Sequence, residues 1–172
     1  MHAWGETALR PAQRRALDAI ERQLAAGRVL RPICLVGDFG AGKTTLARYW
    51  LAQHFDDPEP YYCPLNRPLL DALKEEGTLE HLADIPAKAR LILQIALMGI
   101  LERRFRDADA LVFDAIEVLM PYRISLPTLL LPYTRAGKVA LVCVPESADP
   151  PFSFALRPSE CERVDLTTEE MG

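Results

Sequence analysis

The segment that decides the fold of this chain reads Gly37-Asp38-Phe39-Gly40-Ala41-Gly42-Lys43-Thr44-Thr45. These nine residues fit the pattern G-x-x-x-x-G-K-[ST]. Glycines allow backbone N–H groups to curl around an anion, because no Cβ atom stands in the way. Lys43 supplies a positive charge for the β- and γ-phosphates, and the Thr44 hydroxyl can join the coordination shell of Mg²⁺. We therefore predict a phosphate-binding loop over residues 37–45.

The residues on either side of this segment favour the same interpretation. Before it, residues 33–36 form a continuous apolar run, which is typical of a buried parallel strand. After it, one side of a predicted helix is apolar at Leu46, Tyr49, Trp50 and Phe55. The N-terminus of that helix would face the phosphates. A loop between a strand and a helix predicts nucleotide binding, with ATP and Mg²⁺ as the expected ligands and GTP as an open alternative.

Length and composition bound the class of protein. The chain has 172 residues, of which 49% are hydrophobic and 26% charged, so we expect one globular domain over residues 1–172. Residues 1–30 would contribute an N-terminal helix that leads into the core. The net charge of −4 provides no general attraction for nucleic acid, so any DNA contact is expected to be indirect. The longest apolar stretch, residues 91–101, is too short to cross a bilayer, and the N-terminus has no apolar signal region; we expect a soluble, cytoplasmic protein.

Strands alternate with helices along the chain. Apolar, strand-like runs occur at residues 33–36, 61–65, 110–113, 139–144 and 161–166. Helical patterns occur at about residues 11–27, 46–55, 69–73, 79–82, 86–106 and 127–134. Pro64 falls within the second strand and suits a sheet edge. This alternation predicts an α/β fold, a three-layer sandwich with a mainly parallel sheet.

A second motif follows at the end of the third predicted strand, which reads Leu111-Val112-Phe113-Asp114. A carboxylate at the carboxyl end of a buried strand can hold the water shell of Mg²⁺ beside a phosphate loop. The alternative is an acidic residue that only ends the strand and caps the next segment. The strand at residues 61–65 lies between the two motifs in sequence, and this favours the AAA+/RecA-like branch of P-loop proteins.

Members of that branch usually carry a glutamate directly after the aspartate, where it orients the attacking water. Here Ala115 occupies that position and cannot do so. Glu117 is the nearest carboxylate and becomes the candidate catalytic base if the chain turns back toward the γ-phosphate. A solvated or capping glutamate is the alternative. We therefore predict slow hydrolysis by the isolated chain.

An arginine often supplies the remaining positive charge in phosphoryl transfer, either from the same chain or from a neighbour. Arg135, at the end of the helix before the fourth strand, is the first candidate. Arg103, Arg104 and Arg106 are the next. Each of them could instead be a solvated cation at a helix end, which the helix dipole already favours.

The run from Phe113 to Leu119 resembles the second motif of the BrxF P-loop proteins of type 3 BREX phage-exclusion systems. That family continues with a proline-containing helix that carries leucine pairs and an arginine, and Pro127, Leu129–Leu130 and Arg135 occupy comparable places. The resemblance covers about residues 32–144, and Ala115 replaces the asparagine that the family shows. It implies an ATP-binding component of a bacterial anti-phage complex, with protein partners.

The last residues, 163–170, are similar to the segment that joins the core of AAA+ proteins to a helical lid. With Gly172 as the last residue, we expect the lid to be absent and the nucleotide site to be completed by a partner or by a nucleotide-dependent homo-oligomer. An AAA+-like regulator or loader for DNA transactions outside phage defence is the alternative function. A degenerate loop with a purely structural role is a third, and the intact Lys43, Thr44 and Asp114 count against it.

Overall fold

A computed structural model of the protein describes residues 3–5, 8–27, 30–75, 85–146 and 156–166. Within these ranges the helices are α1 (Pro11–Ala25), α2 (Lys43–His54), α3 (Asn66–Glu75), α4 (Pro86–Asp107) and α5 (Leu126–Arg135). The strands are β1 (Ile33–Gly37), β2 (Tyr62–Pro64), β3 (Ala110–Asp114), β4 (Val139–Pro145) and β5 (Glu162–Asp165).

The five strands form one sheet in the order β2-β3-β4-β1-β5. Every neighbouring pair is parallel, which confirms the predicted α/β class. The short strand β2 lies at an edge, as Pro64 predicts, because proline has no N–H to donate to a second neighbour. Strand β2 also separates the two motif strands, β1 and β3, in sequence, whereas β4 separates them in the sheet.

Helices cover both faces of the sheet and form the predicted three layers. Successive side chains of a strand point to opposite faces. On one face Ile33, Leu35 and Val112 pack with α1 and α2 in one apolar cluster. On the other face Leu111 and Phe113 pack with α3, α4 and α5 in a second cluster. Burial of both strand faces explains why the strands read as continuous apolar runs.

Parallel strands place all their carboxyl ends at one edge of the sheet. The carboxyl edge, as we call it, contains Gly37, Asp114 and Pro145, where β1, β3 and β4 end. The amino edge contains Ile33, Ala110 and Val139, where the same strands begin. Both sequence motifs therefore lie at the carboxyl edge.

Two expectations concern parts of the chain outside the described residues: the short helix at 79–82 and the segment after Leu166 that bears on a lid. Among the described residues no helix is both long enough and apolar enough to cross a membrane.

Candidate functional site

The predicted loop joins β1 to α2 by a tight backbone turn. Gly40 and Gly42 have φ angles of 81° and 92°, in the left-handed region that favours glycine. A Cβ atom on Gly42 would lie 2.7 Å from Nη2 of Arg10 and would collide with the side-chain amide of Gln13. Position 42 therefore requires glycine for its backbone conformation and for its close neighbours.

Helix α2 begins at Lys43, so the positive end of its dipole faces the loop. The Lys43 Nζ atom donates to the carbonyl oxygens of Gly37 at 2.6 Å and Asp38 at 2.7 Å. Burial lowers the pKa of Lys43, and neighbouring anionic groups oppose this shift. A phosphate would offer this ammonium group stronger, charge-assisted hydrogen bonds than the two carbonyls do.

The structure brings the two predicted Mg²⁺ ligands together. The Thr44 hydroxyl donates to Oδ2 of Asp114 at 2.6 Å, and the other carboxylate oxygen accepts the N–H of Ala115 at 2.8 Å. Hydroxyl and carboxylate oxygens are ligand types that Mg²⁺ takes in phosphate sites. The donor set at this position fits the ion.

Tyr62 of β2 also belongs to this cluster, although the sequence predicted only a strand residue there. Its hydroxyl donates to Oδ2 of Asp114 at 2.6 Å. Burial first, and then this hydrogen bond, raise the pKa of Tyr62, so the phenol stays protonated and remains a donor. The Arg48 guanidinium lies 4.8 Å from the centroid of the Tyr62 ring. The Trp4 and Tyr62 rings pack edge to face, with their centroids 5.6 Å apart. These contacts hold Tyr62 in place.

Glu117 reaches the same cleft through a short 3-10 turn, Glu117–Leu119. Its Oε2 atom accepts a hydrogen bond from Nδ2 of the Asn66 side chain at 2.8 Å, and the side-chain oxygen Oδ1 of Asn66 accepts the N–H of Val118 at 3.0 Å. Asn66 thus fixes both the turn and its carboxylate. The turn places Glu117 in the cleft lining together with Lys43 and Thr44. Its role as a catalytic base stays a prediction.

A cleft of about 570 Å³ lies over the loop, and the start of α1 forms part of its wall. Nη2 of Arg10 donates to the Ala41 carbonyl oxygen at 2.8 Å, and the Gln13 amide donates to the Gly42 carbonyl oxygen at 3.1 Å. Gln13 in turn accepts the Arg10 N–H at 2.8 Å and is only 3% exposed. Sequence reasoning missed both residues.

One signal for Gln13 was present in the sequence. It lies three residues before Ala16 and seven before Ile20, so it shares the buried face of α1 with them. A glutamine on such a face needs hydrogen-bond partners, and the loop carbonyls are among those available.

The structure does not bring Arg135 to the loop. Arg135 ends α5, and the chain turns there into the start of β4 at the amino edge. The seven-residue strand β4 separates the two edges by roughly 20 Å. Arg135 therefore does not line the cleft of its own chain, and its role as a catalytic arginine, for which contact with a neighbour's site remains open, stays a prediction. Arg103, Arg104 and Arg106, near the end of α4, lie toward the same distant edge.

The loop, the paired Thr44 and Asp114 and the five-stranded parallel sheet are together consistent with the fold of a P-loop NTPase core. No protein-family model and no curated protein matches the chain.

Several solved structures match the chain, and two of them match it at low sequence identity. Pif1 helicase from Candida albicans is 16% identical, with a TM-score of 0.48 over 94% of this chain and 40% of that chain. PCH-2 from C. elegans is 18% identical, with a TM-score of 0.42 over 89% of this chain and 40% of that chain. The chain thus spans about two fifths of the length of each of these structures.

Proposed function

We propose that this protein binds ATP with Mg²⁺ in the cleft at the carboxyl edge. One observation carries the proposal: the Thr44 hydroxyl and the Asp114 carboxylate meet at 2.6 Å beside Lys43, at the start of α2. These three groups are the ones that a triphosphate–Mg²⁺ complex requires, at the helix terminus where backbone N–H groups favour anions.

Each group has a separate task in binding. Lys43 exchanges its two loop carbonyls for phosphate oxygens, and the backbone N–H groups of the loop surround the phosphates. Thr44 and Asp114 hold Mg²⁺, directly or through water, and the bound ion neutralises negative charge on the phosphates. Tyr62 keeps one Asp114 oxygen oriented toward the hydroxyl of Thr44.

We propose that hydrolysis by the isolated chain is slow, below about 1 s⁻¹, the lower end for efficient phosphoryl-transfer enzymes. Ala115 has no carboxylate with which to orient water. Glu117 would act as the base, but in this structure its Oε2 atom accepts a hydrogen bond from Asn66. A carboxylate held in this way must be released or correctly aimed before it can accept a proton from water.

The wider role that we propose is a nucleotide-dependent component of a BREX-like anti-phage complex in the bacterial cytoplasm. Its support is the short resemblance around residues 113–119 and 127–135. Because Arg103, Arg104, Arg106 and Arg135 lie toward the amino edge, any of them that meets a nucleotide must meet one bound to a neighbouring molecule. Binding energy shared across such a contact makes assembly depend on nucleotide.

The binding proposal is tested by isothermal titration of ATP with Mg²⁺ into wild-type protein and the Lys43→Ala variant. We expect the variant to lose binding, or to bind on the order of a hundredfold more weakly, because a charge-assisted contact is removed. Lys138→Ala is the matched control, since Lys138 lies at the amino edge and contacts Asp109. Equal affinity of wild type and Lys43→Ala would refute the site.

The assembly proposal is tested by analytical ultracentrifugation with Mg²⁺ and a non-hydrolysable ATP analogue. The protein is measured alone and with the products of neighbouring genes. We expect nucleotide to raise the sedimenting mass in at least one of these mixtures. An unchanged mass in all of them, or tight and salt-dependent duplex DNA binding by the isolated chain, would contradict the proposal. Gene neighbours that belong to DNA replication rather than defence would favour the loader alternative.

A further inference from the structure

Helix α4 has two unlike faces, both of them apolar. Its inner face carries Leu93, Leu97 and Leu101, each at most 1% exposed, which pack into the core against the sheet. Its outer face carries Leu91, Ile95 and Met98, which are 57%, 62% and 55% exposed. Exposed apolar residues are ordinary when scattered, but three in a row along one helix form a continuous stripe.

A charged residue flanks the stripe at each end, Lys88 before it and Glu102 after it. Together Lys88, Leu91, Ile95, Met98 and Glu102 form what we call the outer seam, and all five are exposed. Their spacing is three, four, three and four residues, which is the repeat of a helix that packs along another helix. A helix face that contacts only solvent is expected to be polar, and apolar residues at this spacing are not typical of it.

We propose that a second copy of this chain docks on the outer seam, with the two α4 helices antiparallel. Lys88 lies seven residues before Ile95 and Glu102 lies seven residues after it. A two-fold axis at Ile95 therefore places Lys88 of each copy opposite Glu102 of the other, twice in the same interface. A parallel pair in register would place Lys88 against Lys88 and Glu102 against Glu102, which repel.

The antiparallel arrangement leaves space at Gly99 for a leucine side chain of the other copy. In the antiparallel register Leu91 of one copy lies opposite Gly99 of the other, eight residues further along the helix. A Cβ atom added at Gly99 would approach only Nη1 of Arg103, at 3.5 Å, so the position is open. A leucine side chain can enter such a gap, as in the packing of knobs into holes.

The dimer would be weak and would leave the nucleotide cleft open. Three apolar side chains from each copy cover less than the ~1,200 Å² that stable specific interfaces bury, so we expect dissociation in the micromolar range. No outer-seam residue lines the cleft over the loop. Dimerisation should therefore occur without nucleotide, which separates it from the nucleotide-dependent assembly proposed above.

The test uses charge reversal at the two ends of the seam and equilibrium sedimentation without nucleotide. Lys88→Glu alone and Glu102→Lys alone should each raise the dissociation constant of the homodimer about tenfold, because two attractive pairs become repulsive. The double variant should regain the wild-type constant. An equimolar mixture of the two single variants should form a heterodimer, because every pair in it is again of opposite charge.

Two further variants complete the design. Ile95→Asp should abolish the dimer, because it places two carboxylates together at the axis. Lys74→Glu makes the same charge change on α3, outside the seam, and should leave the constant unchanged. Circular dichroism of each variant checks that it is folded. A wild-type protein that stays monomeric at all concentrations would overturn the proposal, and so would single variants whose mixture fails to associate.

Discussion

The predicted site at the carboxyl edge holds its charged groups differently from the amino edge of the sheet, and also from Arg163 at its own edge, which pairs with Glu146 and Asp165. At the carboxyl edge Lys43 donates to two loop carbonyl oxygens and lies over the Phe39 ring, and Asp114 accepts hydrogen bonds from two hydroxyl groups and a backbone N–H. At the amino edge Lys138 is paired with Asp109, and Arg104 donates to the Pro60 carbonyl. The difference teaches that charge alone does not indicate a binding site. A better indicator is a charged side chain at the carboxyl end of a parallel strand whose partners are neutral groups that a ligand can replace.

The largest difference between the edges should appear in hydrolysis. Glu117→Gln removes the candidate base from the carboxyl edge, and we expect the residual ATPase rate to fall on the order of a hundredfold with binding unchanged. Glu162→Gln is the control at the amino edge, where Glu162 pairs with Arg31. Steady-state phosphate release measures the rate, and isothermal titration measures binding.

Asn66→Ala sharpens this test, because it frees the Glu117 carboxylate from its amide partner. A changed rate in this variant, with nucleotide affinity kept, would support control of the base by Asn66. If Glu117→Gln retains the full wild-type rate, Glu117 is not the base.

A smaller effect is expected for the arginines. Arg10 contacts the loop and forms part of the cleft wall, whereas Arg135 lies roughly one strand length away. Arg10→Ala should weaken ATP binding about tenfold, since the loop loses a hydrogen bond and the cleft loses a positive charge. Arg135→Ala should leave the affinity of the isolated protein unchanged. Titration of both variants checks this, and the reverse ranking would contradict the geometry.

Most of the fold could be predicted from the sequence because its strands are buried on both faces. Such strands appear as continuous apolar runs, and all five were located with an error of about one or two residues at each end. The phosphate loop was predicted because its backbone conformation requires glycine at Gly40 and Gly42. The strand order in the sheet was not predicted, since it depends on how helices pack across the faces.

Only those residues of the candidate site that belong to a local sequence motif were predicted. Lys43, Thr44 and Asp114 belong to motifs, whereas Arg10 and Gln13 reach the loop from a helix about thirty residues earlier in the sequence. No spacing rule links those segments. The position of Arg135 followed from the predicted topology, because a helix between two parallel strands ends where the next strand begins, which is the amino edge.

The hydroxyl of Tyr62 should make a measurable contribution to stability. Tyr62→Phe removes the hydrogen bond to Asp114 and should lower the free energy of unfolding by about 1 kcal/mol, or somewhat more because the acceptor is charged. Tyr133→Phe is the control, since its ring stacks on Phe105 and its hydroxyl forms no hydrogen bond within the described residues. Denaturant unfolding near neutral pH measures both.

The same pair of proteins gives a pH test. The pKa of Tyr62 is raised in the folded state, so its contribution is fully present below the ordinary tyrosine pKa of about 10. This contribution is lost as the pH rises toward and through the raised pKa that Tyr62 has in the folded state. The difference between wild type and Tyr62→Phe should therefore stay constant from about pH 6 to 9 and shrink above about pH 10. A difference that vanishes near neutral pH would contradict a protonated donor.

The smallest expected effect concerns the backbone at each edge. Ala115, directly after Asp114, has a φ of 50°, where an L-residue with a Cβ atom is strained by about 1–2 kcal/mol. Glycine relieves that strain but loses more chain entropy on folding, so Ala115→Gly should stabilise the protein by about 0.5–1 kcal/mol. Ala136, next to Arg135 at the amino edge, has an ordinary φ of −82°. Ala136→Gly should therefore destabilise the protein by up to about 1 kcal/mol. Opposite signs in denaturant unfolding would locate stored strain beside Asp114, the predicted metal ligand, whereas destabilisation by both variants would mean that Ala115 is unstrained.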